Sequence, residues 1–247
     1  MNVVDALDAA TGTTCLVGAG GKKTTLYALA NRLERSVVTA TVRIPIFDRQ
    51  VAAVRTTTDP VVALDTDPPF PLGLVPERER EDRYLGYDPE TVDALGSAHD
   101  GPVLVKADGA RTRLLKAPND REPQVPATAD TVVPVASAHA IGEPLTEAVV
   151  HRPERVAAIT GAAVGDEITP EIVGRVLAHE RGGMKRVPGD ATAIPLVNMV
   201  DDEADEAVAR RIAAVVRKEA LDRPIDVPRI VLARMRDATV VDVVDVV

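Results

Sequence analysis

Residues 13–33 read TTCLVGAGGKKTTLYALANRL, in which a short apolar run leads into a cluster of glycines and then into a helical stretch. The apolar run predicts a strand, and the residues from Lys23 onward predict an amphipathic helix. Glycines let a backbone wrap closely around an anion, while a helix N-terminus and a lysine offset its charge. The stretch therefore predicts a phosphate-binding loop at the end of a strand.

This loop departs from the common pattern G-x-x-x-x-G-K-[ST], because Leu16 stands where the first glycine belongs and Lys23 follows Lys22. The shorter pattern G-x-x-G-K is met. We expect Lys22 to be catalytic and Thr24 to bind a metal. The residues expected to bind the nucleotide here are Gly18, Ala19, Gly20, Gly21, Lys22, Lys23, Thr24 and Thr25. The alternative is a glycine-rich turn that binds no nucleotide.

The rest of the 247-residue chain alternates β-branched runs with helical stretches, which is typical of a doubly wound sheet. Strands are predicted at 13–17, 36–41, 102–107, 131–135, 193–198 and 229–233. Helices are predicted at 23–34, 89–96, 152–160, 170–179 and 202–219. We expect one α/β domain over 1–247, a P-loop NTPase-like three-layer sandwich with a mostly parallel central sheet. The proline-rich stretch 60–87 is predicted to be irregular and exposed, and 238–247 to form an edge strand.

Composition excludes several classes of protein. The net charge of −9 argues against a nucleic-acid binder, which needs a basic face. A single cysteine, Cys15, excludes an internal disulfide and a cysteine-rich metal site. Apolar runs are too short to span a membrane, for which about 18 residues are needed. We therefore expect a cytoplasmic protein with no nucleic-acid or membrane partner.

A second segment, 102–118, reads PVLVKADGARTRLLKAP. An aspartate at the carboxyl end of a strand beside the phosphate loop is well placed to hold Mg²⁺, so we expect Asp108 to be a metal ligand and catalytic. The cations that follow suit a clamp for an anion, so Arg111 and Lys116 are also predicted to be catalytic. The alternatives are a turn aspartate and a solvated basic loop.

A third segment, 193–212, places a strand before a helix, with Asn198 and Asp201 between them. In guanine-nucleotide proteins an N-K-x-D loop occupies such a place, and its aspartate accepts hydrogen bonds from the base. We expect Asn198 and Asp201 to bind the base, although Met199 replaces the usual lysine. The alternative is that Asp201 only caps the helix. The nucleotide can thus be ATP or GTP.

Six segments together resemble the YqeC-type selenium-cofactor accessory family, whose members are associated with selenium-dependent molybdenum hydroxylases. They are VGAGGKKTTLYALA (17–30), TATVRI (39–44), LVKADGARTRLLKAPNDREPQVP (104–126), AIGEPL (140–145), HRPERVAAITG (151–161) and LVNMVD (196–201). The resemblance spans 13 to about 201, and it places Glu122 with Asp108 and Lys116 in the second loop. Lys23 stands where the family usually has Thr, and Lys106 where it usually has Glu.

The residues and the resemblance together predict a protein that binds a nucleoside triphosphate with Mg²⁺. Hydrolysis or phosphoryl transfer would then help to mature a molybdenum or selenium cofactor enzyme, so the expected partners are a molybdenum hydroxylase or its cofactor-assembly proteins. One alternative is a carrier or chaperone that binds a nucleotide or pterin without turnover. Another is an ATP-dependent ligase, which would need a further domain for its acidic substrate.

Overall fold

The computed structural model describes residues 1–221 and 224–246. In this part of the chain the strands are β1 (Thr13–Gly18), β2 (Val37–Ala40), β3 (Ile44–Pro45), β4 (Ala53–Thr56), β5 (Leu72–Val75), β6 (Arg78–Arg80), β7 (Arg83–Tyr84), β8 (Val103–Lys106), β9 (Leu115–Lys116), β10 (Thr131–Ser137), β11 (Val150–His151), β12 (Thr192–Ala193), β13 (Leu196–Asn198), β14 (Arg229–Arg234) and β15 (Thr239–Asp245). The α-helices are α1 (Val3–Ala6), α2 (Lys22–Ala30), α3 (Pro89–Ala98), α4 (Pro153–Thr160), α5 (Pro170–Ala178) and α6 (Glu203–Ala220).

One ten-stranded sheet forms the centre of the molecule, in the order β15-β14-β13-β10-β1-β8-β2-β5-β4, with β12 beside β10. Its pairs are parallel except for β14 with β15. Leu16 of β1 lies opposite Val133 on one side and Lys106 on the other. The carboxyl ends of β1, β8, β10 and β13 therefore meet at one edge of the sheet, where such folds bind ligands.

Helices cover both faces of this sheet. Leu16 packs on one face with Leu26 of α2, whereas its neighbour Val17 packs on the other face with Leu95 of α3. The alternation follows from the period of two along a strand. Further along the sheet, Val197 of β13 packs in one cluster with Ile212 of α6. These layers confirm the predicted α/β class with a mostly parallel central sheet.

All six predicted strands are present in the sheet, and 239–245 form the expected edge strand, paired antiparallel to β14. The predicted helices are present too, although α2 begins at Lys22 and ends four residues before Glu34. Within the described residues, no helix has both the length and the apolar character that crossing a membrane requires.

The prediction that 60–87 is irregular and exposed is wrong for its central part. Residues Leu72–Val75 form β5, a fully buried strand between β2 and β4. Pro71 and Pro76 flank this short apolar run and do not interrupt it, so the strand can still form its ladder. Around β5 lie a 3₁₀ turn at Val62–Thr66 and the short pair β6 and β7.

Candidate functional site

The glycine-rich loop (18–21) joins β1 to the first turn of α2. Gly20 and Gly21 have φ of 85° and 123°, values that favour glycine. A side chain at Gly21 would also collide with the amide of Asn198. Both features require a residue with no Cβ, which explains the cluster of glycines in the sequence.

Three amides of this loop already have acceptors within the protein. The amide of Gly18 donates to Oδ2 of Asp108 at 2.9 Å, and those of Ala19 and Gly20 donate to the carbonyls of Val135 and Arg113, also at 2.9 Å. The first amides of α2 have no intrahelical acceptor, as at the start of any helix. An anion at the loop would therefore meet the start of α2 before it met the amides of 18–20.

Asp108 lies just beyond the end of β8 and is buried among cations. Its Oδ1 is 2.8 Å from the ammonium group of Lys22, and its Oδ2 is 2.8 Å from that of Lys116. Oδ1 has no hydrogen bond of good geometry, so the contact with Lys22 is one of charge. Lys22 also donates to the carbonyl of Gly18. The structure thus brings together three residues that the sequence predicted for one site.

The charges of this cluster set its protonation. Burial opposes the charged form of Asp108, but Lys22 and Lys116 hold the pKa of this carboxyl below its usual range. Burial lowers the pKa of the Lys22 ammonium, and Asp108 counteracts that effect while Lys116 adds to it. Asp108 is therefore a carboxylate at neutral pH.

A second carboxylate extends the network to α4. Lys116 lies 2.8 Å from Oε2 of Glu122 and donates to the carbonyl of Gly109. Arg152, the residue just before α4, also lies 2.8 Å from Oε2 of Glu122. Lys116 is thus occupied by protein groups. The role of Arg152 was not evident from the sequence, because only the fold brings it to Glu122.

Lys106 is the last residue of β8 and is 6% exposed. Its ammonium group donates to the backbone carbonyl of Arg43 at 2.8 Å. Burial, followed by the charge of Lys22, lowers the pKa of Lys106 to about 7. The lowered pKa of Lys106 thus reflects its burial first and the neighbouring positive charge second.

Lys22, Lys106, Glu122 and Arg152 line an open cleft of about 780 Å³. Asp108 and Lys116 are not part of its lining. Nine cationic side chains line it, namely Lys22, Lys23, Arg43, Arg83, Lys106, Arg111, Arg113, Arg121 and Arg152. Among the described residues, the only carboxylate in the lining is Glu122. A cleft of this charge in a protein of net charge −9 is suited to an anionic ligand.

The remaining predicted loop residues divide between the cleft and the core. Lys23 and the exposed Thr24 line the cleft, whereas Thr25 is buried and its hydroxyl donates to the carbonyl of Gly21 at 3.2 Å. Arg111, at the rim, is exposed and has a φ of 49°. Of the two threonines, Thr24 is the one that lines the cleft.

A smaller cavity of about 460 Å³ shares Lys23 and Thr24 with the cleft. Its other walls include Tyr27 of α2 and Met235 and Arg236, which follow β14. The two cavities meet at the start of α2, so a single elongated ligand can occupy both.

Asn198 holds the glycine-rich loop in place. It is 3% exposed, its Nδ2 donates to the carbonyl of Gly20 at 2.8 Å, and its Oδ1 accepts from the amide of Met235 at 2.9 Å. Asn198 thus links the ends of β1, β13 and β14, and both functional groups of its side chain are used by the protein.

Asp201 is not the N-cap of α6, so that alternative is wrong. The cap is Asp202, whose side chain accepts from the amide of Asp205 at 2.9 Å. Asp201 lies 3.4 Å from Nε2 of His139, which is also 3.3 Å from Asp205. The sequence did not predict this three-residue cluster, because only the fold brings His139 to Asp201 and Asp205.

The fold and the site define an α/β protein with a glycine-rich loop and a cationic cleft at the carboxyl edge of a parallel sheet. Comparison with known proteins gives its family. The family described as "YqeC protein" matches residues 14–154, and the chain belongs to this family. It is also 28% identical over 204 residues to "Uncharacterized protein YqeC" of Escherichia coli (strain K12), covering 79% of this chain and 78% of that protein.

Proposed function

We propose that this protein binds a nucleoside triphosphate with Mg²⁺ in the cationic cleft and uses hydrolysis or phosphoryl transfer in maturing a molybdenum or selenium cofactor enzyme. The observation that carries the proposal is the ion pair of Lys22 with Asp108 beneath the glycine-rich loop. It joins the loop expected to bind phosphate to the aspartate expected to act with the metal.

The phosphates would lie over the start of α2. There the free amides of the first turn and the positive end of the helix favour an anion. Lys22 and Lys23 both line the cleft at this point. Lys22 would exchange part of its contact with Asp108 for a phosphate oxygen, which is the same kind of ion pair.

Mg²⁺ fits this site through two oxygen atoms. Oδ1 of Asp108 is buried with the ammonium of Lys22 at 2.8 Å but no hydrogen bond of good geometry, and Thr24 lines the cleft. These two groups would hold the ion once Lys22 turns towards the phosphates. Carboxylate and hydroxyl oxygens are ligands that Mg²⁺ accepts, and the ion would neutralise phosphate charge.

The nucleoside would occupy the smaller cavity beside Tyr27, with its base towards Asp201 and Arg236. Asn198 would act by positioning, because its side chain already bonds Gly20 and Met235. Arg236 lies 3.7 Å from Oδ1 of Asp201, so these two side chains would face the base together. A carboxylate there suits guanine, which presents two adjacent donors.

Arg111 would contact the transferred group or an acidic partner from the rim of the cleft. Lys116 would support it from below, because its ammonium group keeps Asp108 and Glu122 in place. Positioning and charge stabilisation account for most of the catalysis of phosphoryl transfer. This chain would provide both positioning and charge stabilisation through cations that buried carboxylates already hold in place.

A carrier that binds a nucleotide or pterin without turnover is the second candidate. Two observations favour it. The protein's own lysines already pair with both oxygens of Asp108, and Lys23 stands where a metal-binding hydroxyl is usual. A carrier needs affinity and slow release, and neither requires a vacant metal ligand.

Thermal unfolding with a panel of nucleotides, with and without Mg²⁺, tests the proposal. A ligand at 100 times its dissociation constant stabilises by about 2.7 kcal/mol, and we expect a triphosphate with Mg²⁺ to raise the Tm. Phosphate release, measured on the same samples, then separates the enzyme from the carrier. A Tm unchanged by every nucleotide would overturn the proposed function and the nucleotide carrier, and would leave a pterin carrier as the candidate to test.

A further inference from the structure

We propose that the cleft contains a second anion-binding subsite, formed by Lys106 and Arg83, which holds the phosphate or carboxylate group of an acceptor molecule beside the nucleotide. This inference rests on the proposed function and names a second ligand for the same cleft.

The charges of the cleft exceed what one nucleotide needs. Arg43 is paired with Glu79 and Arg152 with Glu122. Among the described residues, no carboxylate lies within 4 Å of the cations of Lys23, Lys106, Arg111, Arg113 or Arg121, all of which line the cleft. A triphosphate with Mg²⁺ carries about two net negative charges, so most of these cations would remain without a counter-ion.

The subsite is built on rigid structure. Lys106 ends a buried central strand and donates to the carbonyl of Arg43, the residue before β3. Pro45 of β3 pairs with Arg83 of β7, and all four residues line the cleft. Lys106 and Arg83 are therefore held on adjoining walls, and strands fix such groups more accurately than loops.

Two groups at this place have unused capacity for an anion. The guanidinium of Arg83 is paired through Nη2 with the exposed Asp82 at 3.2 Å, but its Nε is buried and has no hydrogen-bond acceptor within the described residues. In the same part of the chain, the ammonium of Lys106 is 6% exposed and its hydrogen-bond partner is a neutral carbonyl. Buried donors are normally satisfied, and a buried ammonium normally faces an anion. An oxyanion would satisfy both groups.

The two cavities leave room for this ligand. The nucleoside would fill the cavity of about 460 Å³, and its phosphates would lie where that cavity meets the cleft at Lys23 and Thr24. The part of the 780 Å³ cleft lined by β3, β7 and Lys106 then stays open. An acceptor bound there would lie beside the terminal phosphate.

The test is calorimetric titration of sodium sulfate into protein saturated with Mg²⁺ and a non-hydrolysable triphosphate. Sodium malonate in a parallel titration distinguishes a carboxylate-binding subsite from one that prefers a tetrahedral anion. We expect one sulfate or malonate per chain, bound at least tenfold more weakly by Lys106→Met and by Arg83→Met.

Lys218→Met is the matched control, because it removes an exposed lysine of α6 and the same charge. It should leave anion binding unchanged, and Lys106→Met should bind the triphosphate within threefold of the wild type. Lys106→Arg should retain the anion, because arginine keeps a cation at this position. Arg83→Met keeps the test valid if Lys106→Met does not fold.

No anion binding by the saturated protein would overturn the subsite, as would equal binding by the wild type and both methionine variants. A failure of the proposed function looks different, because the triphosphate itself would then not bind. In that case sulfate is titrated into the free protein. Loss in Lys106→Met with retention in Lys22→Ala supports the subsite, and the reverse pattern rejects it.

Discussion

The ammonium group of Lys22, the first residue of α2, lies 2.8 Å from Oδ1 of Asp108, and both side chains are almost completely buried. This pair joins the glycine-rich loop after β1 to the segment after β8, two strands that are neighbours in the sheet. Because Lys116 holds the other oxygen of Asp108, the carboxylate is fixed between two cations. A ligand that attracts Lys22 would change the environment of Asp108 directly.

Asp108→Asn should destabilise the protein, because it leaves the buried ammonium groups of Lys22 and Lys116 beside a neutral amide. Removing one partner of a buried ion pair costs about 3–5 kcal/mol in free energy of unfolding. Urea unfolding measures this loss, and adding Lys22→Met should recover part of it. Asp120→Asn, which removes an exposed carboxylate paired with Arg155, should have little effect. A wild-type stability for Asp108→Asn would contradict the buried network.

Lys106 should make the stability of the protein rise with pH above neutrality. Its pKa is lowered to about 7 in the fold, so between pH 7 and the unfolded value the unfolded chain binds a proton that the folded chain does not. One such proton raises the free energy of unfolding by at most about 1.4 kcal/mol per pH unit. Urea unfolding from pH 7 to 10 should show a smaller rise for Lys106→Met. Parallel curves for the two proteins would show that Lys106 is protonated in the fold.

Asn198→Ala should loosen the glycine-rich loop. It leaves the carbonyl of Gly20 and the amide of Met235 without their partners, and each unsatisfied buried group costs about 1–3 kcal/mol. Urea unfolding should show this loss, and nucleotide affinity should fall with it. Asn31→Ala, which removes two hydrogen bonds at an exposed position, should cost less. Equal losses in the two variants would indicate that the buried hydrogen bonds of Asn198 stabilise the protein no more than the exposed ones of Asn31.

Asp201→Asn tests whether Asp201 binds the base of the nucleotide. If Asp201 accepts hydrogen bonds from guanine, the side-chain amide of the Asn variant would place its NH₂ group against the N–H donors of the base. GTP should then bind at least tenfold more weakly, while XTP gains affinity. Dissociation constants for GTP, ATP and XTP decide this. The cap of α6 is Asp202, so Asp202→Asn is the control and should change no affinity, because Asn caps a helix as well as Asp. A wild-type preference for ATP would reject guanine.

The strands of the central sheet were predictable because their apolar runs are buried on both faces, as CLV and VLV are. The strand β5 was missed because prolines on either side of it disguise four buried residues. The predicted start of α2 was one residue too late, because the glycines before Lys22 have no side chain that could mark the helix N-cap in the sequence.

In the candidate site, the sequence predicted the meeting of Lys22, Asp108 and Lys116, because Lys22 follows β1 while Asp108 and Lys116 follow β8, and these two strands end at one edge. It did not show that these groups would neutralise one another, since their distances depend on tertiary packing. Lys106 appeared only as an unusual residue in the family pattern, and Arg83 gave no signal. Arg83 lies in β7, a strand of two residues that is too short to show a period, whereas Lys106 ends the buried strand β8.

Calorimetric titration of a triphosphate with Mg²⁺ into the wild type, Lys22→Ala and Lys23→Ala tests the central claim most directly. Both lysines line the cleft, but only Lys22 reaches Asp108 and the carbonyl of Gly18. The account predicts saturable binding by the wild type, a loss of tenfold or more in Lys22→Ala, and a much smaller loss in Lys23→Ala. Absence of binding by the wild type, or a loss at Lys23 that equals or exceeds that at Lys22, would contradict it.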